Sequence, residues 1–535
     1  MTGMNNPSNA WNPTTLRTDP PRSRGFLVLV IALMIGWVSV TGWFVTTTKT
    51  VGSPDEAANQ YFMRHLAATG QYRVDSGLPS ETNQLLYPRS AMRLGADLAS
   101  GSFLGLVQAG AGVIKVFGVG SERFLTPVLA LLALIAAYLV LRRFWDRTWA
   151  LLTTVLIAVH PAWFGQMTAP YLHNGAFTAL LVVSGWALLR LLERPTPWRS
   201  VLMGIVFGAS LYFRPIEVIW LAPIVAVILI ARKSWWPLFI VGALTAIAQL
   251  PWLLVNHQLF GAWLSSAYTP SGIFTGGEDV AEVVTAPAKL LFTPPGGAWS
   301  WHWLSSVWWY LIVLGSPVSA LALIAEGQYL RRAVKGIKAF KLGLIALPII
   351  FLLVYYGTWD LYPVSTASQV GWLASYVRYW LIIYVALCIG ASLALQKMFN
   401  RKLAIGAMVA VIGLQILTTV GHVNSGIVHR LAADRTGRDR QTFILQQTEA
   451  DSLVIAGQQD KYLFGQRRVA FAWPTSEAGF QAVQKTVVNR SVYLYGTLNQ
   501  FSDDRLRSQL APYGLTLGSV KRLGSDSLWQ ILPKL

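Results

Sequence analysis

Cysteine and charged residues are both scarce in this sequence of 535 residues. The single cysteine, Cys388, excludes a disulfide within the chain and gives no information about the redox compartment. Only 13% of the residues are charged, whereas 54% are hydrophobic and the mean hydropathy is +0.46. A soluble globular chain of this length has far fewer apolar residues. The composition therefore predicts a polytopic membrane protein.

Acidic residues are the scarcer of the two charge types. The chain has 24 of them against 43 lysines and arginines, which gives a net charge of +19. In a soluble protein such an excess would indicate nucleic-acid binding. In a membrane protein it is typical of cytoplasmic loops, which are enriched in Lys and Arg. We therefore predict a bilayer rather than a nucleic acid as the partner, and the basic clusters orient the chain.

Several functional motifs are also missing. The last hundred residues contain no phosphate-binding loop, no dinucleotide fingerprint and no zinc-ligand spacing. The chain has no internal repeat of the kind that transporters carry, which argues against a transporter. We predict no cofactor and no metal ligands, and we leave a requirement for a divalent cation open.

Eleven apolar segments are candidates for membrane spans of about twenty residues. They are 26–45, 121–141, 149–167, 175–192, 200–213, 216–231, 237–256, 304–325, 341–357, 379–395 and 403–421. The first is too long for the apolar region of a signal peptide and is followed by no small-residue cleavage site, so we predict an uncleaved span. Residues 1–24 are predicted to be a disordered cytoplasmic tail.

The apolar segment 102–117 is either a short span or a helix that lies in the outer interface of the membrane. If it crosses the bilayer, the cluster Arg142, Arg143 and Arg147 lies outside, and every later basic loop is inverted. If it lies flat, these basic clusters are all cytoplasmic. The positive-inside rule selects the flat helix. Residues 46–120 and the region after about residue 422 are then extracytoplasmic.

The last hundred residues differ in pattern from the rest of the chain. Alternating and β-branched runs at 453–455, 492–495 and 528–531 surround helical stretches near 476–488 and 503–510. This pattern predicts a small extracytoplasmic α/β domain over 422–535, which we expect to cap a site or contact an acceptor. The predicted fold class is thus an α-helical membrane protein of about eleven spans, with juxtamembrane helices in the first external loop and this C-terminal domain.

An acidic pair, Asp55 and Glu56, lies at the start of a predicted helix just after the first span. Ser53 is a good N-cap, Pro54 suits the first helical position, and Glu56 three residues after Ser53 completes a capping box. Asp55 also suits the positive end of the helix dipole. The alternative is that the pair acts as a general base or as a metal ligand at the membrane exit. These residues alone favour capping.

Polar residues at the outer ends of the spans are predicted to meet near this acidic pair. They are Tyr87 and Arg89, His173 and Asn174, Arg214 and Glu217, and Arg378 and Tyr379. Ionisable residues at membrane depth are costly and mark function by default. Arg214 and Glu217 can equally pair with each other, three residues apart. Arg89 and Arg378 lie where the topology disfavours basic residues, so each is expected to bind a phosphate or lipid headgroups.

The order of these motifs along the chain resembles that of a known family. One span precedes a juxtamembrane helix that begins Pro-Asp-Glu at 54–56, a Pro-Arg-Ser element at 88–90 and an interfacial helix that ends Val-Phe-Gly at 116–118. A basic Arg-Arg-Phe-Trp turn at 142–145 and a span that ends near His160-Pro161 follow. Over roughly residues 25–420 this order resembles the GT-C superfamily of polyprenyl-phosphate-sugar glycosyltransferases, on the side of the protein O-mannosyltransferases and aminoarabinose transferases.

The resemblance implies a GT-C-like membrane domain over 25–421 and roles for four residues. Asp55 matches the catalytic acidic position of the family, a general base for the acceptor hydroxyl, and Glu56 is its neighbour. Arg89 falls where the family places a basic residue against the lipid phosphate, and Arg378 is a second candidate.

One turn departs from the family pattern. Many members carry an acidic residue in the second external turn, where this chain has His173 and Asn174 after Tyr171-Leu172. Either side chain can still form a hydrogen bond to a sugar. The predicted substrate-binding residues are these two together with Tyr87, Arg214, Glu217 and Tyr379. The departure puts a two-carboxylate mechanism or a metal site in this turn in doubt.

These patterns together predict a glycosyltransferase of the plasma or inner membrane with a cytoplasmic N-terminus. It would move a monosaccharide from a polyprenyl phosphate to an extracytoplasmic glycan, lipid or protein. Two alternatives stay open. A transporter or flippase of a lipid-linked saccharide would bind phosphate with the same arginines and perform no chemistry. An oligosaccharide polymerase or ligase would use a longer donor.

Overall fold

The computed structural model describes residues 24–261, 263, 302–333, 348–358, 370–497 and 502–534. The predicted tail and most of the predicted loop over 257–303 therefore lie outside the described residues. A helix or a bent pair of helices occupies each predicted span. In chain order they are Arg24–Thr47, Leu125–Leu141, Arg147–Val159 with Pro161–Met167, His173–Glu193, Pro197–Phe213, Val218–Ala231, Trp235–Phe260, Trp303–Val313 with Val318–Ala333, Pro348–Gly357, Leu381–Met398 and Arg401–Gly421.

Within the described ranges, six helices are long and apolar enough to cross a membrane, and up to eight are if each bent pair is one span. One pair bends by 59° at His160-Pro161, where the proline disfavours a helical conformation of the residue before it. Two other predicted spans, Pro215–Ala231 and Pro348–Gly357, are shorter apolar helices. The protein is a multi-pass membrane protein, and the number eleven stays a prediction.

The predicted first external loop contains the helix Pro54–Thr69, called the acidic helix below. Its N-cap is Ser53, as predicted, and the Ser53 Oγ accepts a hydrogen bond from the N–H of Glu56 at 3.2 Å. The capping box also predicts that the Glu56 carboxylate accepts from the N–H of Ser53, and the structure differs here. The Glu56 carboxylate accepts from the N–H of Gly52 at 3.0 Å, one residue before the N-cap. The helix ends at Gly70, whose φ of +74° favours glycine.

A small antiparallel sheet follows the acidic helix. Its strands are β1 (Val74–Asp75), β2 (Ala91–Leu94) and β3 (Asp97–Ser100), in the order β1-β3-β2, with the short helix Ser80–Asn83 between β1 and β2. Strand β2 begins directly after the Pro-Arg-Ser element, so the pairing of β2 with β3 sets the position of that element.

The segment 102–117 forms the helix Leu104–Phe117, which packs along the acidic helix. Gly110 allows this close packing, because a Cβ atom there would clash with the Sδ atom of Met63. Gly105 lies against another helix, Pro197–Phe213, where a Cβ atom would clash with the carbonyl oxygen of Tyr212. The helix has 14 residues, and its placement in the membrane interface stays a prediction.

The helix Ile427–Gln447 leads from the last span into a five-stranded mixed sheet. The strands are β4 (Leu453–Ile455), β5 (Arg468–Ala470), β6 (Val492–Thr497), β7 (Leu515–Leu523) and β8 (Asp526–Pro533), in the order β5-β4-β6-β8-β7. The helices Asp460–Leu463, Glu477–Asn489 and Asp503–Leu510 connect them. The sequence pattern found β4, β6 and β8 and missed β5 and β7. Trp529 of β8 is fully buried in the core of this C-terminal region.

Candidate active site

A cavity of about 640 Å³ lies between the ends of several membrane helices, the loop that follows the first of them and the C-terminal region. The start of the acidic helix, the turn 168–172, the segment 373–378 and the helix Ile427–Gln447 line it. Its charged residues are Lys49, Asp55, Glu56, Arg89, Arg123, Arg378, Arg430, Asp434 and Lys461. Because cations outnumber carboxylates by six to three, the cavity suits an anionic ligand.

Asp55 is held from two sides at the edge of this cavity. Arg378 Nη1 donates to Asp55 Oδ2 at 2.7 Å, and Ser90 Oγ donates to Asp55 Oδ1 at 2.5 Å. Burial raises the pKa of Asp55, but the charge and hydrogen bond of Arg378, the Ser90 hydroxyl and the charge of Arg89 outweigh it, so the pKa lies below its usual value. Asp55 is therefore ionised at neutral pH, as a general base must be.

Glu56 has different partners from its neighbour. Its side chain is buried, accepts from the N–H of Gly52 and lies in the field of Arg430 and Lys461. Burial raises the pKa of Glu56, and the two cations offset this only in part. The pKa values of Asp55 and Glu56 are thus shifted in opposite directions, a pattern that separates the roles of paired carboxylates.

Arg89 reaches the C-terminal region. Its Nη2 and Nε donate to the Asp460 carboxylate, with 2.6 Å between Nη2 and Oδ1, and its backbone N–H donates to Oδ2 at 3.0 Å. Nη2 also donates to the carbonyl of Gln458, and the guanidinium lies 4.6 Å from the ring centroid of Phe471. Among the described residues, the hydrogen bonds of the guanidinium come from Nε and Nη2, not from Nη1.

Arg214 and Glu217 form the buried ion pair that the sequence offered as one of two alternatives. Their side chains are 3% and 4% exposed, with 2.6 Å between Arg214 Nη2 and Glu217 Oε1. The Tyr356 hydroxyl accepts from Arg214 and donates to Glu217, and Trp220 Nε1 donates to Glu217 as well. Neither residue of the pair lines the cavity. The structure therefore favours the structural pairing over direct contact with a ligand in the cavity.

His173 and Asn174 lie between this ion pair and the cavity. His173 Nε2 is 3.3 Å from Arg214 Nη1, and His173 Nδ1 is 3.1 Å from Ser102 Oγ. Asn174 Nδ2 donates to the carbonyl oxygen of Arg378 at 3.3 Å. Both side chains are buried and neither lines the cavity. Asn174 thus supports the short helix Ser375–Tyr379, which carries Arg378, whereas His173 bridges Arg214 and Ser102.

Tyr87 and Tyr379 also lie outside the cavity lining. The Tyr379 ring stacks on Tyr356, with 4.5 Å between the centroids and 2° between the planes. The Tyr87 ring lies 4.1 Å from the Arg93 guanidinium, and the Tyr87 carbonyl accepts from the N–H of Phe471 at 2.9 Å. Of the predicted binding residues, the structure brings Asp55, Glu56, Arg89 and Arg378 together at the cavity and places the other six in the surrounding shell.

Arg430 and Lys461 are cavity residues that the sequence interpretation missed. Arg430 donates to Thr168 Oγ1 at 2.7 Å, and its guanidinium lies 4.3 Å from the Phe44 ring centroid. Burial lowers the pKa of Arg430 to about 10, although the charge of Glu56 offsets part of the effect. Lys461 Nζ donates to a backbone carbonyl at 2.9 Å. Both residues belong to the C-terminal region, where no motif marked them.

The three carboxylates of the cavity, Asp55, Glu56 and Asp434, are bound to separate partners. Asp434 Oδ1 accepts from the N–H groups of Lys49 and Thr50 at 2.8 and 2.7 Å. In the part of the chain that the structure describes, no group of three or more His, Cys, Asp or Glu side chains is placed to hold a metal ion.

Comparisons with known proteins identify the fold of the chain. Residues 109–254 match the family described as dolichyl-phosphate-mannose-protein mannosyltransferase. The crystal structure of ArnT from Cupriavidus metallidurans bound to undecaprenyl phosphate superposes with a TM-score of 0.59 at 13% identity, over 95% of this chain and 98% of that one. The same ArnT in the apo state gives 0.53 at 13% identity, over 94% and 98%.

An archaeal enzyme has a similar structure. The apo oligosaccharyltransferase of Archaeoglobus fulgidus superposes with a TM-score of 0.50 at 12% identity, over 89% of this chain and 70% of that one. No protein with a curated function matches the sequence significantly. The chain thus has the GT-C fold, and the resemblance inferred from its motifs is confirmed.

Proposed function

We propose that the protein is a membrane glycosyltransferase that moves a monosaccharide from a polyprenyl phosphate to an acceptor hydroxyl, with Asp55 as the general base. The observation that carries the proposal is the placement of Asp55. This ionised carboxylate borders a cationic cavity and is bound to Arg378, which is suited to a phosphate. The GT-C fold, shared with an ArnT structure that contains undecaprenyl phosphate, supports a lipid phosphate as the donor.

In the proposed reaction Asp55 takes the proton of the acceptor hydroxyl as the oxygen attacks the anomeric carbon of the donor sugar. The bond between that carbon and the phosphate oxygen breaks, and polyprenyl phosphate leaves with the bonding electron pair. Arg378 and the Nη1 of Arg89 stabilise the charge that develops on the phosphate. A single displacement of this kind inverts the configuration at the anomeric carbon. The acceptor approaches from the extracytoplasmic side.

Arg378 also couples donor binding to the base in this scheme. Before the donor binds, Arg378 is the strongest of the interactions that lower the pKa of Asp55. A donor phosphate competes with the carboxylate for the guanidinium, since both are oxyanions that match its donors. When Arg378 turns to the phosphate, the pKa of Asp55 rises and the carboxylate becomes a stronger base. The base is thus activated only when a donor is present.

Substitution of Arg378 tests the phosphate role. Arg378→Ala should weaken donor affinity by about 1.5–3 kcal/mol, the range for hydrogen bonds to charged groups. Arg378→Lys should restore it only in part, because the fork of donors is lost. The measurement is binding of undecaprenyl-phosphate mannose and undecaprenyl-phosphate aminoarabinose to the purified protein in nanodiscs. Arg143→Ala is the control, since Arg143 pairs with Glu193 away from the cavity. Unchanged affinity in both Arg378 variants would leave Arg378 as a structural partner of Asp55.

The proposed orientation is tested by cysteine labelling. A cysteine in place of Phe144, which is 59% exposed in the basic turn, should react with an impermeant thiol reagent only after the membrane is opened. A cysteine in place of Ser508 in the C-terminal region should react in intact cells. The native Cys388 is buried and serves as the silent background. The reverse labelling pattern would overturn the topology and the extracytoplasmic placement of the site.

A further inference from the structure

Ser90 binds Asp55 from an uncommon backbone conformation. Its φ is +59°, and among the described residues only one other non-glycine residue, Lys233, has a positive φ. A residue with a Cβ atom adopts this left-handed conformation at an energetic cost, and it persists where the surrounding structure holds it. The conformation places the Ser90 hydroxyl 2.5 Å from Asp55 Oδ1.

Contacts on both sides of Ser90 hold this conformation. The Ser90 carbonyl accepts from the N–H of Gly101 at 2.9 Å, and a Cβ on Gly101 would lie 2.5 Å from that oxygen. On the other side, the backbone N–H and the guanidinium of Arg89 both bind Asp460. The Asp460 side chain is 1% exposed and begins the short helix between β4 and β5. The residue before Ser90 is therefore fastened to the C-terminal region.

We propose that Ser90 is a positioning residue for Asp55, and that Asp460 maintains this position through Arg89. The inference rests on the proposed role of Asp55 as the base. The hydrogen bond from Ser90 fixes Oδ1, so that Oδ2 faces Arg378. Once a donor phosphate has taken Arg378, Oδ2 is the oxygen presented to the acceptor hydroxyl. The C-terminal region thereby acts on the reacting carboxylate through two consecutive residues of the first loop.

Two variants distinguish the effect of the Ser90 hydroxyl from the effect of its backbone conformation. Ser90→Ala removes the hydroxyl, and Ser90→Gly removes it while easing the positive φ. Both should lower kcat by roughly ten- to a hundredfold, in line with loss of a hydrogen bond to a charged group, with donor affinity unchanged. The acid limb of the kcat/KM profile should move to higher pH, because the lost hydrogen bond had favoured the ionised form of Asp55. The readout is release of undecaprenyl phosphate from its mannose and aminoarabinose derivatives, with solubilised envelope material as acceptor.

Asp460→Asn tests the connection to the C-terminal region. It should lower kcat and move the acid limb of the kcat/KM profile to higher pH. The double variant Ser90→Ala/Asp460→Asn should move the limb no further than Ser90→Ala alone, because both changes act on the same hydrogen bond to Asp55. Donor affinity reports separately on Arg89, which Asp460 also binds. Asp526→Asn is the matched control. Asp526 is another buried carboxylate of the C-terminal region, 2.8 Å from Arg440 Nε, and its loss should lower the melting temperature without changing kcat.

The possible outcomes are distinct. Wild-type kcat with an unmoved acid limb in both Ser90 variants would overturn the positioning role. An acid limb that moves further in the double variant than in Ser90→Ala alone would overturn the link from Asp460. If the proposed function itself is wrong, the wild-type protein will release no undecaprenyl phosphate from either donor. That result would overturn both proposals. Melting temperatures of all variants separate these outcomes from misfolding.

Discussion

Asp55→Asn is expected to lower sugar transfer by roughly a hundred- to ten-thousandfold, which is the contribution of a general base. Asparagine has nearly the same shape, and its side-chain oxygen can still accept one of the two hydrogen bonds, but it cannot take the acceptor proton. Donor affinity should stay the same or become tighter, because Asp55 competes with the donor phosphate for Arg378. This direction is opposite to the one expected for Arg378→Ala. The measurement is transfer by purified protein in nanodiscs, alongside donor binding.

Glu56→Gln is the internal comparison for that experiment. Glu56 accepts from the N–H of Gly52 at the start of the acidic helix, so its substitution should lower the melting temperature before it lowers transfer. If Asp55 only favours the helix dipole, Asp55→Asn should instead cost about 0.3–1 kcal/mol of local stability and leave transfer nearly intact. That result would refute the role of Asp55 as a base and favour a transporter of lipid-linked saccharides.

The largest stability loss is expected from Arg214→Met, which should cost about 3–5 kcal/mol by leaving Glu217 as a buried charge without its partner. Replacing both residues, as in Arg214→Met/Glu217→Leu, should cost less, since no lone charge is then buried. Denaturation in detergent measures both. The comparison is Arg143→Ala, which opens a partly exposed ion pair and should cost no more than about 1 kcal/mol.

The Arg214 experiment also decides between the two interpretations of this pair. A structural pair predicts a loss of stability with donor affinity retained in the fraction that folds. A ligand-binding arginine predicts the reverse, a normal melting temperature with donor affinity lost. Neither Arg214 nor Glu217 lines the cavity, so we expect a loss of stability with donor affinity retained.

Local patterns in the sequence predicted the fold well where a local cause determines it. Hydropathy located the helices that lie at the predicted spans. It could do so because a membrane span requires about twenty apolar residues in a row. The start of the acidic helix followed from Ser53 and Pro54, and its end from Gly70. The Arg214 and Glu217 contact followed from their spacing along one turn.

The candidate site was predictable only as a set of residues at one face. Topology brought Asp55, Arg89 and Arg378 to the same side, but it could not say which cation meets which carboxylate. Arg378 binds Asp55 across 323 positions and Arg89 binds Asp460 across 371, and no short pattern encodes such distances. The contact of the Ser90 hydroxyl with Asp55 was also missed. The direction of this hydroxyl depends on the positive φ of Ser90, which the sequence did not reveal.

The division of the cavity between early and late parts of the chain has a consequence for biosynthesis. A ribosome makes the acidic helix hundreds of residues before it makes Arg430 and Lys461, which line the same cavity, and Asp460, which binds the cavity residue Arg89. A nascent chain that has inserted its membrane helices therefore lacks one side of the cavity and the anchor of Ser90. The cavity is therefore complete only after the region beyond the last predicted span has folded.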